Sequence, residues 1–203
     1  MSVMDDARNR VLRYEANLFS VIKAKNTPEK SLNLGCGMKI LEGFTNVDKY
    51  VTYPGIANYD IYQLPYKNDS IDLIFSTHSL EHLPIRHAKM ALIDWYRVLA
   101  YGGKLVLMVP NLKTIMLRLL DDESLSEQEY NWYLYTLFGY QIDTQIHWAD
   151  NKLDHPLDMG QFHTCGFTEN RLKKELTDLG FKISEMFSFD GWNTPSIFVE
   201  ASK

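Results

Sequence analysis

Cysteine is scarce in this chain: Cys36 and Cys165 are the only two among 203 residues. Two cysteines cannot make the disulfide framework of a small secreted domain. Both are expected as free thiols in a reducing compartment, and the expected location is cytoplasmic. Long apolar runs are missing as well. None approaches the ~18 residues that a membrane span requires, so no membrane association is expected. The N-terminus, Met1-Ser2-Val3-Met4-Asp5-Asp6, is acidic where a secretory leader carries positive charge. Excess basic charge is absent too, since 21 Lys and Arg face 26 Asp and Glu for a formal net charge of -5. Phosphate contacts need clustered Lys and Arg, so no nucleic-acid partner is expected. There is no internal repeat and no low-complexity stretch. What is present, 45% hydrophobic and 23% charged residues, is the balance of a soluble globular protein. A chain of this length suits one domain over residues 1–203 that buries roughly 70% of its unfolded surface.

Periodicity then orders the elements. Apolar residues at Val11, Leu12, Leu18, Phe19, Val21 and Ile22 predict an amphipathic N-terminal helix within residues 1–27, ended by Asn26-Thr27-Pro28. Strands are predicted at residues 31–34, 46–48, 71–77 and 104–109. The last is uniformly apolar, which implies burial on both faces as in a parallel sheet. A helix over residues 86–99 carries the stripe Ala88, Leu92, Trp95, Val98 and Leu99. Thr168 is placed to cap a helix with Leu172, Leu176 and Leu179 on one face, stopped by Gly180. Residues 181–189 and 196–201 read as a strand pair forming an antiparallel edge. Between them and the central strands, residues 111–165 break the rhythm as a helical, aromatic-rich insertion. Strands alternating with helices imply an α/β fold: a Rossmann-like, doubly wound, mainly parallel sheet with an antiparallel C-terminal strand.

The strand at residues 31–34 runs into Gly35-Cys36-Gly37. Ligands of such sheets bind at the carboxyl ends of the strands, and glycine there lets backbone N–H groups approach them. A lone Gly-x-Gly is equally an ordinary tight turn. The dinucleotide fingerprint requires a third glycine, and that position is Ile40, which speaks against NAD. Asp48, at the end of the next strand, is placed to accept from ribose hydroxyls. A nucleoside without a pyrophosphate fits both observations.

A resemblance follows from the ordered set of short motifs. Leu32-Asn33-Leu34-Gly35-Cys36-Gly37, Asn46-Val47-Asp48, Asp60-Ile61, Leu64-Pro65-Tyr66, Ser70-Ile71-Asp72, Ser79-Leu80-Glu81-His82-Leu83 and Arg97-Val98-Leu99 with Gly102-Gly103 resemble the motifs of class I methyltransferases dependent on S-adenosylmethionine (SAM). They resemble in particular small enzymes of surface-glycan or natural-product pathways. The resemblance spans roughly residues 30–110 and extends more loosely into the C-terminal third. It implies a seven-stranded sheet and SAM as cofactor. The loop Gly35-Cys36-Gly37 would hold the amino-acid end of SAM and Asp48 the ribose, with Asn33 and Lys49 also among the cofactor-binding residues. Asp60 would accept from the adenine amino group, with Ile61 packing on the ring. Ser76 and His78 would line the site near the methyl group. Two departures stand out. Only ten residues separate Gly37 from Asp48, so the helix usual after the glycine loop must be very short. The usual Lys-Pro before the double glycine is Ala100-Tyr101.

His78-Ser79-Leu80-Glu81-His82 matches a zinc-hydrolase pattern that needs both imidazoles on one helical face and a third ligand downstream. It directly follows a buried strand and precedes Pro84, so no metal is expected, and Glu81 and His82 are expected to cap or brace the loop. His147, His155 and His163 lie among acidic residues in the stretch that, by the resemblance, helps form the acceptor site. His163 is the first choice for a catalytic base or orienting group, followed by His147, with His78 close to the methyl group. Most insertion aromatics are expected to pack a lid; Tyr140, Gln141 and Trp148 are the expected acceptor contacts. No Asn/Asp-Pro-Pro-Tyr/Phe signature of amide-nitrogen methylation follows the fourth strand, so a hydroxyl of a sugar or other small metabolite is the expected acceptor. Two rival readings are a non-catalytic SAM-binding partner subunit and an NAD-dependent nucleotide-sugar oxidoreductase.

Overall fold

The computed structural model describes residues 30–139, 162–191 and 194–203. The helix expected over residues 1–27 lies outside them, as does the middle of the expected insertion. Seven strands, β1 (Ser31–Leu34), β2 (Thr45–Val47), β3 (Ile56–Ala57), β4 (Ile71–Thr77), β5 (Leu99–Pro110), β6 (Lys182–Gly191) and β7 (Thr194–Ser202), form one sheet in the order β3-β2-β1-β4-β5-β7-β6. The first five are parallel, and β7 pairs antiparallel with both β5 and β6. This is the expected Rossmann-like arrangement. The two-residue strand β3 has too little pattern to be visible in sequence.

Side chains alternate across a strand, and β5 shows why its apolar run is unbroken. Leu105, Leu107 and Val109 join a core with α1 (Ile85–Val98) and α4 (Glu169–Leu179). Val106 and Met108 point the other way, into a cluster with Phe44, Phe75, Phe189 and Phe198. Helix α1 buries Ala88, Ala91, Leu92, Trp95 and Val98. Helix α4 is capped by Thr168, whose hydroxyl accepts from the Arg171 N–H, and ends at left-handed Gly180. The insertion supplies α2 (Leu112–Leu120) and α3 (Glu127–Phe138), the latter opened by a Ser126–Glu129 capping box. Among the described residues no helix is long and apolar enough to cross a membrane.

One local expectation is corrected. Between Gly37 and Phe44 the chain forms turns and no helix, not even a short one. Two buried amides facing each other across β1 and β2 take the helix's place. Asn33 Nδ2 donates to Lys39 O and to Asn46 Oδ1, both at 2.8 Å. Asn46 Oδ1 also accepts from the Leu41 N–H, and its Nδ2 donates to Leu41 O and Phe44 O. Side chains thus satisfy main-chain groups that a helix would otherwise pair internally.

Candidate active site

The chain leaves β1 through Gly35-Cys36-Gly37 where the strand order reverses, between β1 and β4. In open α/β sheets this switch point is where ligands bind. Gly35 has φ +65° and lies so close to the loop after β4 that an added Cβ would sit 2.2 Å from Ser79 Cβ. Gly37 instead faces open space at φ +51°, and its N–H donates to Asp48 Oδ2 at 2.9 Å. Asp48 Oδ1 accepts from the N–H groups of Tyr50 and Val51 at 2.9 and 3.0 Å. The carboxylate just past β2 is therefore fixed in place by main-chain donors.

Asp60 is a second acid lining the same cleft. Lys49 Nζ lies 2.7 Å from its Oδ1, and that hydrogen bond holds the ammonium above its usual range. Ile61 is buried below, its carbonyl accepting from Trp95 Nε1 at 2.7 Å. The Tyr62 and His87 rings stack with centroids 4.3 Å apart. With Tyr50, Thr77, His78, His82 and Leu83, these groups bound a cleft of about 530 Å³, the size of a small-molecule site. The Cys36 thiol lines it. Burial, and then the charge of Asp48, push this thiol up to about 11, so it is not an activated nucleophile.

A second cavity of about 210 Å³ adjoins the first, and His78 and His82 line both. His78 is left-handed at φ +50°, a conformation that costs a non-glycine residue about 1–2 kcal/mol. Its N–H is tied to Met108 O at 2.9 Å. The 3-10 turn Leu80–His82 follows. Residues 162–165 are pinned to that turn: Thr164 and Cys165 donate their N–H groups to Glu81 O at 2.9 and 3.2 Å. The Thr164 hydroxyl donates to His82 O at 3.0 Å. This pairing sets the His163 ring edge-to-face against His82, centroids 4.6 Å apart.

Glu81, only 1% exposed, lies at the centre. His78 Nδ1 is 3.4 Å and His163 Nε2 3.9 Å from its Oε1. Neither contact has hydrogen-bond geometry, and neither carboxylate oxygen has a hydrogen-bond partner among the described residues. Burial acts to raise the Glu81 carboxyl, but the imidazoles, His78 foremost, outweigh it and hold the group below its usual range. Burial also pushes the His163 imidazole down, with Glu81 opposing, so its neutral form is favoured.

Comparison with known proteins places this geometry. Residues 32–107 match the family described as a methyltransferase domain. They hold β1 to β5, the glycine loop and both carboxylates. Over these residues the chain is similar to a methyltransferase domain, and its sheet has the Rossmann-like methyltransferase arrangement. Several solved structures share the fold. The PH0226 protein of Pyrococcus horikoshii OT3 is 17% identical with a TM-score of 0.58, over 97% of this chain and 90% of that one. A SAM-dependent methyltransferase of Methanosarcina mazei is 17% identical at 0.56, covering 85% and 91%. The magnesium protoporphyrin IX methyltransferase of Synechocystis PCC 6803, solved with bound SAH, is 14% identical at 0.56, covering 94% and 82%. Among curated proteins, none matches this chain.

The cleft fits an adenosyl ligand: it is open at Gly37, is lined by the acids Asp48 and Asp60, and has no third glycine for a pyrophosphate. Gly35, Cys36, Gly37, Asp48, Lys49, Asp60, Ile61 and His78 all line it. Asn33 and Ser76 are not among its lining residues. Asn33 is turned into the β1–β2 amide pair. Ser76 is fully buried, with its Oγ 2.5 Å from Ser79 Oγ beneath the glycine loop. Both lie on central strands whose side chains face the interior, so they brace the loop. His163 lines the second cavity, whereas His147, Tyr140, Gln141 and Trp148 lie outside the described residues. Sequence reasoning missed the Tyr62–His87 stack, for which no spacing gives a signal. It also took Glu81 for a loop brace. Only its backbone does that; its side chain points into the histidines.

Proposed function

We propose that this methyltransferase methylates a hydroxyl oxygen of a small molecule, a sugar or other metabolite, seated in the cavity of about 210 Å³. The observation that carries the reading is that His78 and His82 line both cavities, so that the two are neighbours. Bound SAM supplies a methyl group already activated on a sulfonium. The residues of the chain hold and orient the reactants. Asp48 accepts from ribose hydroxyls on the outer side of Oδ2. Lys49 occupies Oδ1 of Asp60, leaving Oδ2 for the adenine amino group, while Ile61 packs on the ring. The loop at Gly35–Gly37 holds the amino-acid end.

Transfer then requires the acceptor oxygen in line at about 3–3.5 Å from the carbon it attacks. His78 borders both cavities and is 35% exposed on its side chain, so it is positioned to take the hydroxyl proton. Such a base contributes roughly 10²–10⁴-fold. His163 lines only the acceptor side and orients the acceptor there through the buried Glu81.

Calorimetric titration with SAM, S-adenosylhomocysteine (SAH) and NAD, followed by methyl transfer from labelled SAM to a panel of sugars and metabolites, tests this. SAM and SAH are expected to bind and NAD not. Tight NAD binding with none for SAM would overturn the reading. Methylation confined to amines would overturn the hydroxyl assignment.

A further inference from the structure

The geometry points to a divalent transition-metal site, zinc foremost, held by Glu81, His82 and His163, which all line the second cavity. One nitrogen of each ring and one carboxylate oxygen lie within 4.8 Å of one another. Hydrogen bonding decides what those nitrogens can do. His163 Nδ1 lies 2.7 Å from Thr136 O, and His82 Nδ1 lies 3.1 Å from Phe162 O. A carbonyl oxygen only accepts, so each Nδ1 carries a hydrogen, and Nε2 is the nitrogen left to ligate a cation. Metal-binding histidines are fixed in this way, the far nitrogen donating to a carbonyl or carboxylate. Two lone pairs and a buried carboxylate without a hydrogen-bond donor repel one another unless a cation lies between them. Two histidines, a carboxylate and a remaining open position form the donor set of a catalytic zinc.

Ligands about 2.0–2.2 Å from a tetrahedral ion lie roughly 3.4 Å apart, so the cluster needs to contract by about 1 Å. Rotation of the His163 and Glu81 side chains can supply that. His78 stays outside the set. An ion held there would supply Lewis-acid polarisation of an acceptor hydroxyl in the second cavity, with His78 on the same lining to take the proton. The ion's chemical role rests on the methyl-transfer reading; its binding does not.

The test uses the full chain, stripped with chelator and titrated with Zn²⁺ by competition against a chromophoric chelator. Co²⁺ is added separately and its visible absorption recorded. One equivalent of Zn²⁺ per chain is expected, with the intense visible bands of four-coordinate Co²⁺. Glu81→Gln and His163→Ala should each weaken Zn²⁺ binding about a hundredfold or more, since loss of an outer-shell partner alone costs 10–100-fold. SAH binding to the same variants reports whether they fold. If a variant loses SAH binding, the Co²⁺ spectrum of the unaltered chain decides: four-coordinate bands support the site, and octahedral, water-like Co²⁺ overturns it. Unchanged Zn²⁺ affinity in folded variants also overturns it, leaving Glu81 paired with a protonated imidazole. A chain that binds SAH but no metal refutes the site alone; one that binds metal but neither SAM nor SAH refutes the methyltransferase reading alone.

Discussion

Replacing Gly35 by alanine should damage this protein far more than the same change at Gly37, although both glycines have positive φ. At Gly37 (φ +51°) an added Cβ meets nothing within 4 Å, so the cost is the left-handed backbone alone, about 1–2 kcal/mol. At Gly35 (φ +65°) the same backbone term applies, and the Cβ would also lie 2.2 Å from Ser79 Cβ and 2.8 Å from Ser79 Oγ. Carbon atoms in contact prefer 3.5–4.0 Å. A Cβ cannot rotate away, so the loop after β4 must move by about 1 Å, against the Ser76–Ser79 hydroxyl pair that anchors it. Overpacking of this kind adds roughly 1–3 kcal/mol. The total for Gly35→Ala is then about 2–5 kcal/mol, or a fall in Tm of roughly 6–12 °C at 3 kcal/mol. Urea unfolding without ligand measures both variants. A double-mutant cycle with Ser79→Gly isolates the clash: the second substitution removes the offending carbon, so the pair should be at least 1 kcal/mol less destabilised than the sum of the singles. Equal losses for Gly35→Ala and Gly37→Ala, or an additive cycle, would refute the close approach of loop and strand end.

Three further outcomes follow from the same geometry. Asp48→Asn leaves one acceptor oxygen for three main-chain N–H groups; stability should fall by about 1–3 kcal/mol, and SAH should bind at least tenfold more weakly by calorimetry. Arg97→Lys should cost about 2–3 kcal/mol in denaturant unfolding, because the guanidinium donates to Asp94, Tyr66 O, Asn68 and Leu64 O from one planar fork. Cys36, raised from 9.0 to about 11, should carry about a hundredfold less thiolate than an ordinary cysteine at any pH below 9. Its alkylation rate, followed by mass spectrometry, should therefore rise tenfold per pH unit up to about pH 11. A plateau near pH 9 would contradict that.

The fold was legible where burial writes itself into local pattern. The uniform apolar run of β5, the stripe of α1 and the Thr168 to Gly180 caps of α4 each follow from period and turn chemistry within one segment. Arg97 is instructive because its motif and the Leu64-Pro65-Tyr66 motif are separate words in the sequence and one device in space, the arginine clamping the carbonyls of Leu64 and Tyr66. The cleft was legible for a related reason: much of its lining stands at strand ends, and strand ends are marked by glycine and acid. Asn33 and Ser76 mark the limit of that signal, because a polar residue at a strand end reads the same whether it faces a ligand or braces a loop. That choice is made by the strand's neighbours, here Asn46 and Ser79.

The acceptor side was harder to read because its parts converge from distant segments. The pattern His78-x-x-Glu81-His82 fails as a helical zinc motif for sound reasons: it follows a buried strand, and Pro84 stops the turn. In the fold His78 and His82 do not share a helical face, and the proposed set instead joins Glu81 and His82 to His163, carried in by main-chain bonds from residues 164 and 165 to Glu81 O. A ligand set has to converge in space and leave its lone pairs unspent; helical spacing is only one way to arrange that. The Nδ1 bonds to Phe162 O and Thr136 O meet the second condition, and they are made to main-chain carbonyls that no residue type announces. The same two carbonyls therefore decide whether Glu81 faces protons or a metal ion, and blocking them should alter Zn²⁺ affinity before it alters SAH affinity.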